Sequence, residues 1–203
     1  LDIGAQETAE VMAELLGAPL IHTCYSRLVI DVNRPINSSD SIAEVSDGIV
    51  VPGNQKLSEI ERQTRKSLYF DPYHEAINRL IDERIKRNGT TTLISVHSFT
   101  PTLHSIFRPW HIGITYDRSR QFARKIIELL SKKGDFCVGE NQPYPVNRES
   151  DYTVPIHGDD RGLRNVLFEI RQDLLTERNG PVIWGNLLAD ILSHVDSITR
   201  GGL

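Results

Sequence analysis

Apolar positions at Ala5, Ala9, Met12, Leu15 and Leu16 recur at helical spacing, and Gly17 is placed to stop that helix. Two short apolar runs then predict strands over 19–23 and 27–32. Residues 35–53 are rich in Pro, Ser, Asn, Asp and Gly, which predicts a long loop of the kind that often carries binding elements. Ser58 with Glu61 fits a capping box opening the next helix. Asp71-Pro72 predicts a break and restart, with Asp71 as N-cap and Pro72 in the first turn. Tyr73, Ile77, Leu80, Ile81 and Ile85 give that segment a buried stripe, ended by Gly89.

Residues 90–96 are β-branched and apolar and predict a central strand, with another strand over 110–116. Ser119 is placed to cap a helix whose inner face is Phe122, Ala123, Ile126, Ile127 and Leu130, with Gly134 after it. A short strand at 136–138 and a late buried one at 166–170 precede a final helix over 181–195. That helix is expected to bury Ile183, Leu187, Leu188, Ile191 and Leu192. Strands alternating with helices in this way imply an α/β fold, with a mostly parallel sheet between helical layers.

The 203 residues suffice for one substantial domain over 1–203. A net charge of −4 disfavours a nucleic-acid partner, which would call for a basic surface. No apolar run approaches the roughly 18 residues of a membrane span, so no membrane partner is expected. Cys24 and Cys137 lie far apart without CxxC spacing and read as reduced thiols in a cytoplasmic protein. The chain opens at Leu1 directly in a helical pattern, so a preceding segment is expected.

Two residues carry the candidate chemistry. His97 ends one apolar run and Glu169 closes another about seventy residues on. The carboxyl ends of strands in an open α/β sheet form the crevice where ligands bind. An imidazole and a carboxylate delivered there suit metal-assisted hydrolysis, one holding a cation and the other moving a proton from water. The plainer alternatives are a buried His97 satisfied by hydrogen bonds and a structural Glu169–Arg171 ion pair at strand period two. Asn33-Arg34 enters the long loop, and the planar fork of Arg34 suits a substrate carboxylate, which Arg27 and Arg108 are placed to share. Tyr144, in a polar stretch after a strand, lines a site or simply packs. His74, three residues beyond Asp71, is a weak candidate for an Asp–His pair. No GxGxxG, P-loop, GxSxG or HExxH is present, which disfavours dinucleotide, nucleoside-triphosphate, serine-hydrolase and zincin chemistry.

Six strings resemble the N-formylglutamate amidohydrolase family, in order along nearly the whole chain. They run from Asp2 to Ala5, Tyr25 to Pro35, Ser95 to Pro101, Arg108 to Gly113, Gly139 to Tyr144 and Phe168 to Leu174. The resemblance implies a three-layer α/β/α sandwich with a mostly parallel mixed central sheet, similar to zinc carboxypeptidases and to succinylglutamate and aspartate deacylases. It implies zinc as cofactor, His97 as a metal ligand, Glu169 as general base, and Asn33 with Arg34 on the substrate carboxylate. It also implies further metal ligands, a histidine and a carboxylate, upstream of Leu1. A catalytic zinc ordinarily takes three protein ligands and a water.

The resulting expectation is a metal-dependent amidohydrolase acting on a small N-acyl acidic amino acid, N-formylglutamate first. Glu169 is catalytic, His97 binds metal, and Asn33, Arg34, Arg27, Arg108, Tyr144 and Arg171 contact substrate. Another carboxypeptidase-like deacylase or peptidase, or a non-catalytic module binding acidic metabolites, are the alternatives.

Overall fold

Helices and short strands alternate along the chain in this computed structural model, which describes residues 2–88, 91–134 and 136–200. The order is α1 (Ala5–Leu16), β1 (Val45–Ser46), β2 (Ile49–Val50), α2 (Glu59–Arg65), α3 (Asp71–Asn88), β3 (Thr92–Phe99), β4 (Thr102–Leu103) and β5 (Ile106–Phe107). Then come β6 (Ile112–Thr115), α4 (Arg120–Lys133), β7 (Val138–Glu140), β8 (Arg164–Arg171), α5 (Gln172–Thr176) and α6 (Gly180–Arg200). The backbone falls into two compact units. A helical unit comprises 21–91 and 147–163, and a sheet unit the remainder.

In the sheet unit the central strands run in the order β3-β8-β6-β7. β3 is parallel to β8 and β6 is parallel to β7, while β8 and β6 are antiparallel. This is the expected mixed α/β fold, with a mostly parallel sheet flanked by helices. Side chains alternate across a strand. Val166, Phe168 and Ile170 of β8 and Ile112 and Ile114 of β6 therefore share one face. Met12 of α1, Ala123, Ile126 and Leu130 of α4, and Leu188, Ile191 and Val195 of α6 pack with them into one core. Each fully buried large aliphatic or aromatic side chain there contributes ~2–3 kcal/mol of hydrophobic stabilisation. The intervening residues His97, Glu169 and Gly113 turn to the opposite face.

The helical unit has a smaller core of Ile30, Ile42 and Phe70. Its long loop is ordered by one buried amide. Asn54 Nδ2 donates to the carbonyls of Leu28 and Ala43 at 2.9 and 2.7 Å, and its Oδ1 accepts from Arg65 at 2.7 Å.

Several local expectations fail for identifiable reasons. Residues 19–23 and 27–32 form no strands, and over 27–33 side chains capture the backbone locally. Arg27 Nε donates to Asp31 at 2.9 Å, while Asp31 Oδ1 accepts from the Asn33 amide at 3.0 Å. α3 opens at Asp71, but with no break before it and without Asp71 as N-cap. A wide turn over Lys66–Phe70 carries α2 into α3, with the Asp71 amide bonded to the Lys66 carbonyl five residues back. The Asp71–His74 pair does not form either, since Lys66 Nζ lies 2.6 Å from Asp71. Ser119 precedes α4 but gives no side-chain cap, its Oγ accepting instead from the Asn165 amide at 3.0 Å. Ile183 is 61% exposed, and Trp184 takes its place in the core. The strand expected at 136–138 is formed by Val138–Glu140. Gly89 and Thr90 lie outside the described residues.

Candidate active site

The sheet register sets His97 of β3 directly against Glu169 of β8. Opposed residues of adjacent parallel strands project to the same face, with backbones ~4.8 Å apart. An imidazole and a carboxylate distant in sequence thus stand side by side on rigid strands. β3 ends the row of strands among the described residues, and the turn leading into α1 runs beside its carboxyl end. Asp2 Oδ2 lies 2.7 Å from His97 Nδ1, and Ser98 Oγ donates to the Ile3 carbonyl at 2.9 Å. That turn needs Gly4, whose φ is +74° and where a Cβ would come 2.5 Å from Leu175 Cβ. A ring that donates its Nδ1 proton to Asp2 would carry its lone pair on Nε2, the tautomer a metal-binding or proton-accepting histidine uses. The sequence reading missed Asp2 in this role. Its only signal was membership of the string that opens the chain.

Gly113 of β6 opposes Glu169, and Gly139 of β7 opposes Gly113, extending the same row across the sheet. A Cβ at Gly113 would stand 1.6 Å from the Gln142 carbonyl oxygen and 3.4 Å from Glu169 Cβ. One at Gly139 would stand 2.6 Å from Gln142 Cβ. The two glycines therefore admit the Gln142 peptide beside Glu169. Asn141 holds that loop in place, its amide donating to the Ile114 carbonyl at 3.0 Å and its Oδ1 accepting from the Tyr116 amide at 2.9 Å. Next along, Glu140 accepts from the Tyr116 hydroxyl and from Arg124 Nε, bonds that hold its carboxyl below the usual carboxylate range.

The expected substrate-binding residues divide between the units. In the sheet unit, Arg171 does not face outward as an isolated cation. Its Nε donates to Asp173 at 2.8 Å, and its guanidinium lies over Phe107. Arg108 is buried and lies between the rings of Phe99 and Tyr144. In the helical unit, Arg34 Nη1 donates to the Ser150 carbonyl at 2.8 Å and lies 3.3 Å from Asp151. Asn33 donates to Asp151 at 3.1 Å and accepts from the amide of Thr153 at 2.9 Å. Arg27 is joined to Arg34 through Asp31, which lies 4.0 Å from Arg34 Nε. Behind these residues His74 Nε2 meets the Val32 carbonyl at 2.9 Å and its Nδ1 meets His157 Nε2 at 2.8 Å. Burial holds both imidazoles down to about 4, helped by the facing His157 for His74 and by Arg161 for His157.

This arrangement can be set against known proteins. The profile of N-formylglutamate amidohydrolase matches residues 1–176. The chain belongs to the N-formylglutamate amidohydrolase family. Among solved structures it is similar to gene product Atu2144 from Agrobacterium tumefaciens, at 31% identity and TM-score 0.92, covering 98% of this chain and 79% of that one. It also resembles the N-formylglutamate amidohydrolase from Ralstonia eutropha JMP134 in fold, at 18% identity and TM-score 0.63, covering 97% and 87%. No curated protein sequence matches.

Membership of this family assigns the chain to the amidohydrolases. The zinc that the resemblance implies meets an incomplete donor set. His97 can take a suitable tautomer, yet no group of three or more His, Cys, Asp or Glu among the described residues is placed to hold an ion. The described residues thus do not complete a metal centre. Also among the described residues, no helix is long and apolar enough to cross a membrane.

Proposed function

We propose that this chain hydrolyses the amide of N-formylglutamate or a closely related N-acyl acidic amino acid, releasing formate and the free amine. The observation that supports the reading most is the direct pairing of His97 with Glu169 on neighbouring strands. Glu169 accepts a proton from the attacking water and returns it to the amine nitrogen as the carbon–nitrogen bond breaks. Asp2 keeps the His97 ring oriented beside it. Asn33 and Arg34, with Arg27, are assigned to a substrate carboxylate, for which the guanidinium fork is suited. Zinc dependence, with His97 as one ligand, belongs to the same proposal, and no step above is routed through the metal.

The test is turnover of N-formylglutamate by the wild-type protein and by Glu169→Gln, with metal content and chelator sensitivity measured alongside. Glu169→Gln is expected to cut kcat on the order of 10³-fold with circular dichroism unchanged. Near-normal turnover in that variant removes Glu169 from the role. Undiminished glutamate binding by wild-type protein that hydrolyses nothing would instead mark a non-catalytic binding module.

A further inference from the structure

Arg108 is a buried charge with no ion-pair partner among the described residues. It is only 6% exposed, and neither terminal guanidinium nitrogen has a hydrogen-bond partner among the described residues. Its two neighbours are aromatic faces, Phe99 at 5.6 Å and Tyr144 at 5.1 Å from the guanidinium carbon. Such contacts offset only part of the desolvation cost of an unsatisfied buried ion. The main chain pins the arginine in this position, its amide donating to the Pro101 carbonyl at 2.8 Å. Arg171, the nearby cation on β8, already has Asp173. Arg108 therefore presents two parallel N–H donors in a site built of apolar walls, the donor pattern that pairs with a carboxylate.

The position of this fork is informative. Phe99 follows His97 by two residues on β3, so it projects from the same face ~7 Å further along the strand. In a glutamyl compound the side-chain carboxylate carbon lies ~5 Å from the amide nitrogen when extended. One wall of the clamp, Phe99, buried and held within the sheet, is fixed. The other is Tyr144, which is 47% exposed on the loop after β7. Tyr144 is thus the exposed wall of the pair, carried on a loop and not on the sheet.

We propose that Arg108 is the reader of the substrate's side-chain carboxylate, and that Tyr144 is the movable cover of that site, so the pair selects N-acyl amino acids with acidic side chains. This rests on the amide being cleaved at the His97–Glu169 row. Comparison of N-formylglutamate with its neutral isostere N-formylglutamine tests it, by kcat/KM and by calorimetric binding to the Glu169→Gln protein. The wild type is expected to favour the acid by more than 100-fold. Arg108→Met should bring that ratio to within about tenfold of unity, mainly through KM, and Arg108→Lys should fall between. Tyr144→Ala, an exposed change that leaves Arg108 in place, should reduce the ratio several-fold by admitting water to the guanidinium.

A wild-type protein that treats both compounds alike overturns the assignment, as does an Arg108→Met protein that keeps the wild-type ratio. An unfolded Arg108→Met protein leaves the decision to Tyr144→Ala, whose unchanged ratio overturns the covering role. If the wild type cleaves neither compound, the hydrolytic reading fails. The binding ratio, lost in Arg108→Met or retained, still decides the carboxylate site by itself.

Discussion

At the scale of single residues, the proposed chemistry rests on groups whose positions are fixed by their neighbours. Asp2 is the clearest case, because its carboxylate favours the proton on Nδ1 of His97. Partners of this kind typically account for tenfold to a hundredfold in activity or metal affinity, by about that order. Asp2→Asn is accordingly expected to lower kcat by about 10- to 100-fold without altering secondary structure, measured by initial rates on N-formylglutamate and circular dichroism. His97 and Glu169 were legible in the sequence because polar residues at the ends of apolar runs are conspicuous. Asp2 was not, since an acidic residue before a helix looks like an ordinary N-terminal charge. The Gln142 peptide was legible only as part of the polar stretch over 139–144, not by its own side chain.

At the scale of elements, periodicity located α1, α4, β3, β6 and β8, and the reason is burial. Each turns one set of side chains into a core large enough to override local preference. Where burial is slight, local bonds won. The Arg27–Asp31–Asn33 contacts bent a run that reads as a strand, and a five-residue-back hydrogen bond carried a helix through Asp71. Glycine on a strand supplies a second test. Gly113→Ala forces a methyl group into the Gln142 carbonyl, and overpacking of this kind costs ~1–3 kcal/mol even where side chains can yield. A loss of about 3 kcal/mol or more in denaturant unfolding is expected, together with lost turnover as the loop leaves Glu169. Gly53→Ala, where nothing lies within 4 Å, should stay within about 0.5 kcal/mol of wild type.

At the scale of the molecule, the buried His74–His157 pair ties stability to pH. In the folded chain both rings are held down to about 4, while unfolded histidines titrate near 6.5. Between these values the unfolded chain binds more protons, so stability rises with pH there. The contribution is full above about pH 6.5 and is lost as pH falls towards 4, on the order of 3 kcal/mol for a site shifted this far. Thermal unfolding between pH 7.5 and 4.5 should show Tm falling with acid, and His157→Gln should flatten that slope. A Tm independent of pH across this window would contradict the buried neutral pair.

The connectivity of the sheet also bears on how the protein folds. β3 and β8 become partners only after the chain between them closes, and β6 with β8 likewise joins distant segments. Closing such long stretches before any ladder contact is gained makes the search slow. The His97–Glu169 pair is thus assembled by long-range pairing and cannot exist in a hairpin. During refolding, helical signal should return ahead of competence to cleave, and the nascent polypeptide stays inert until β8 has been synthesised.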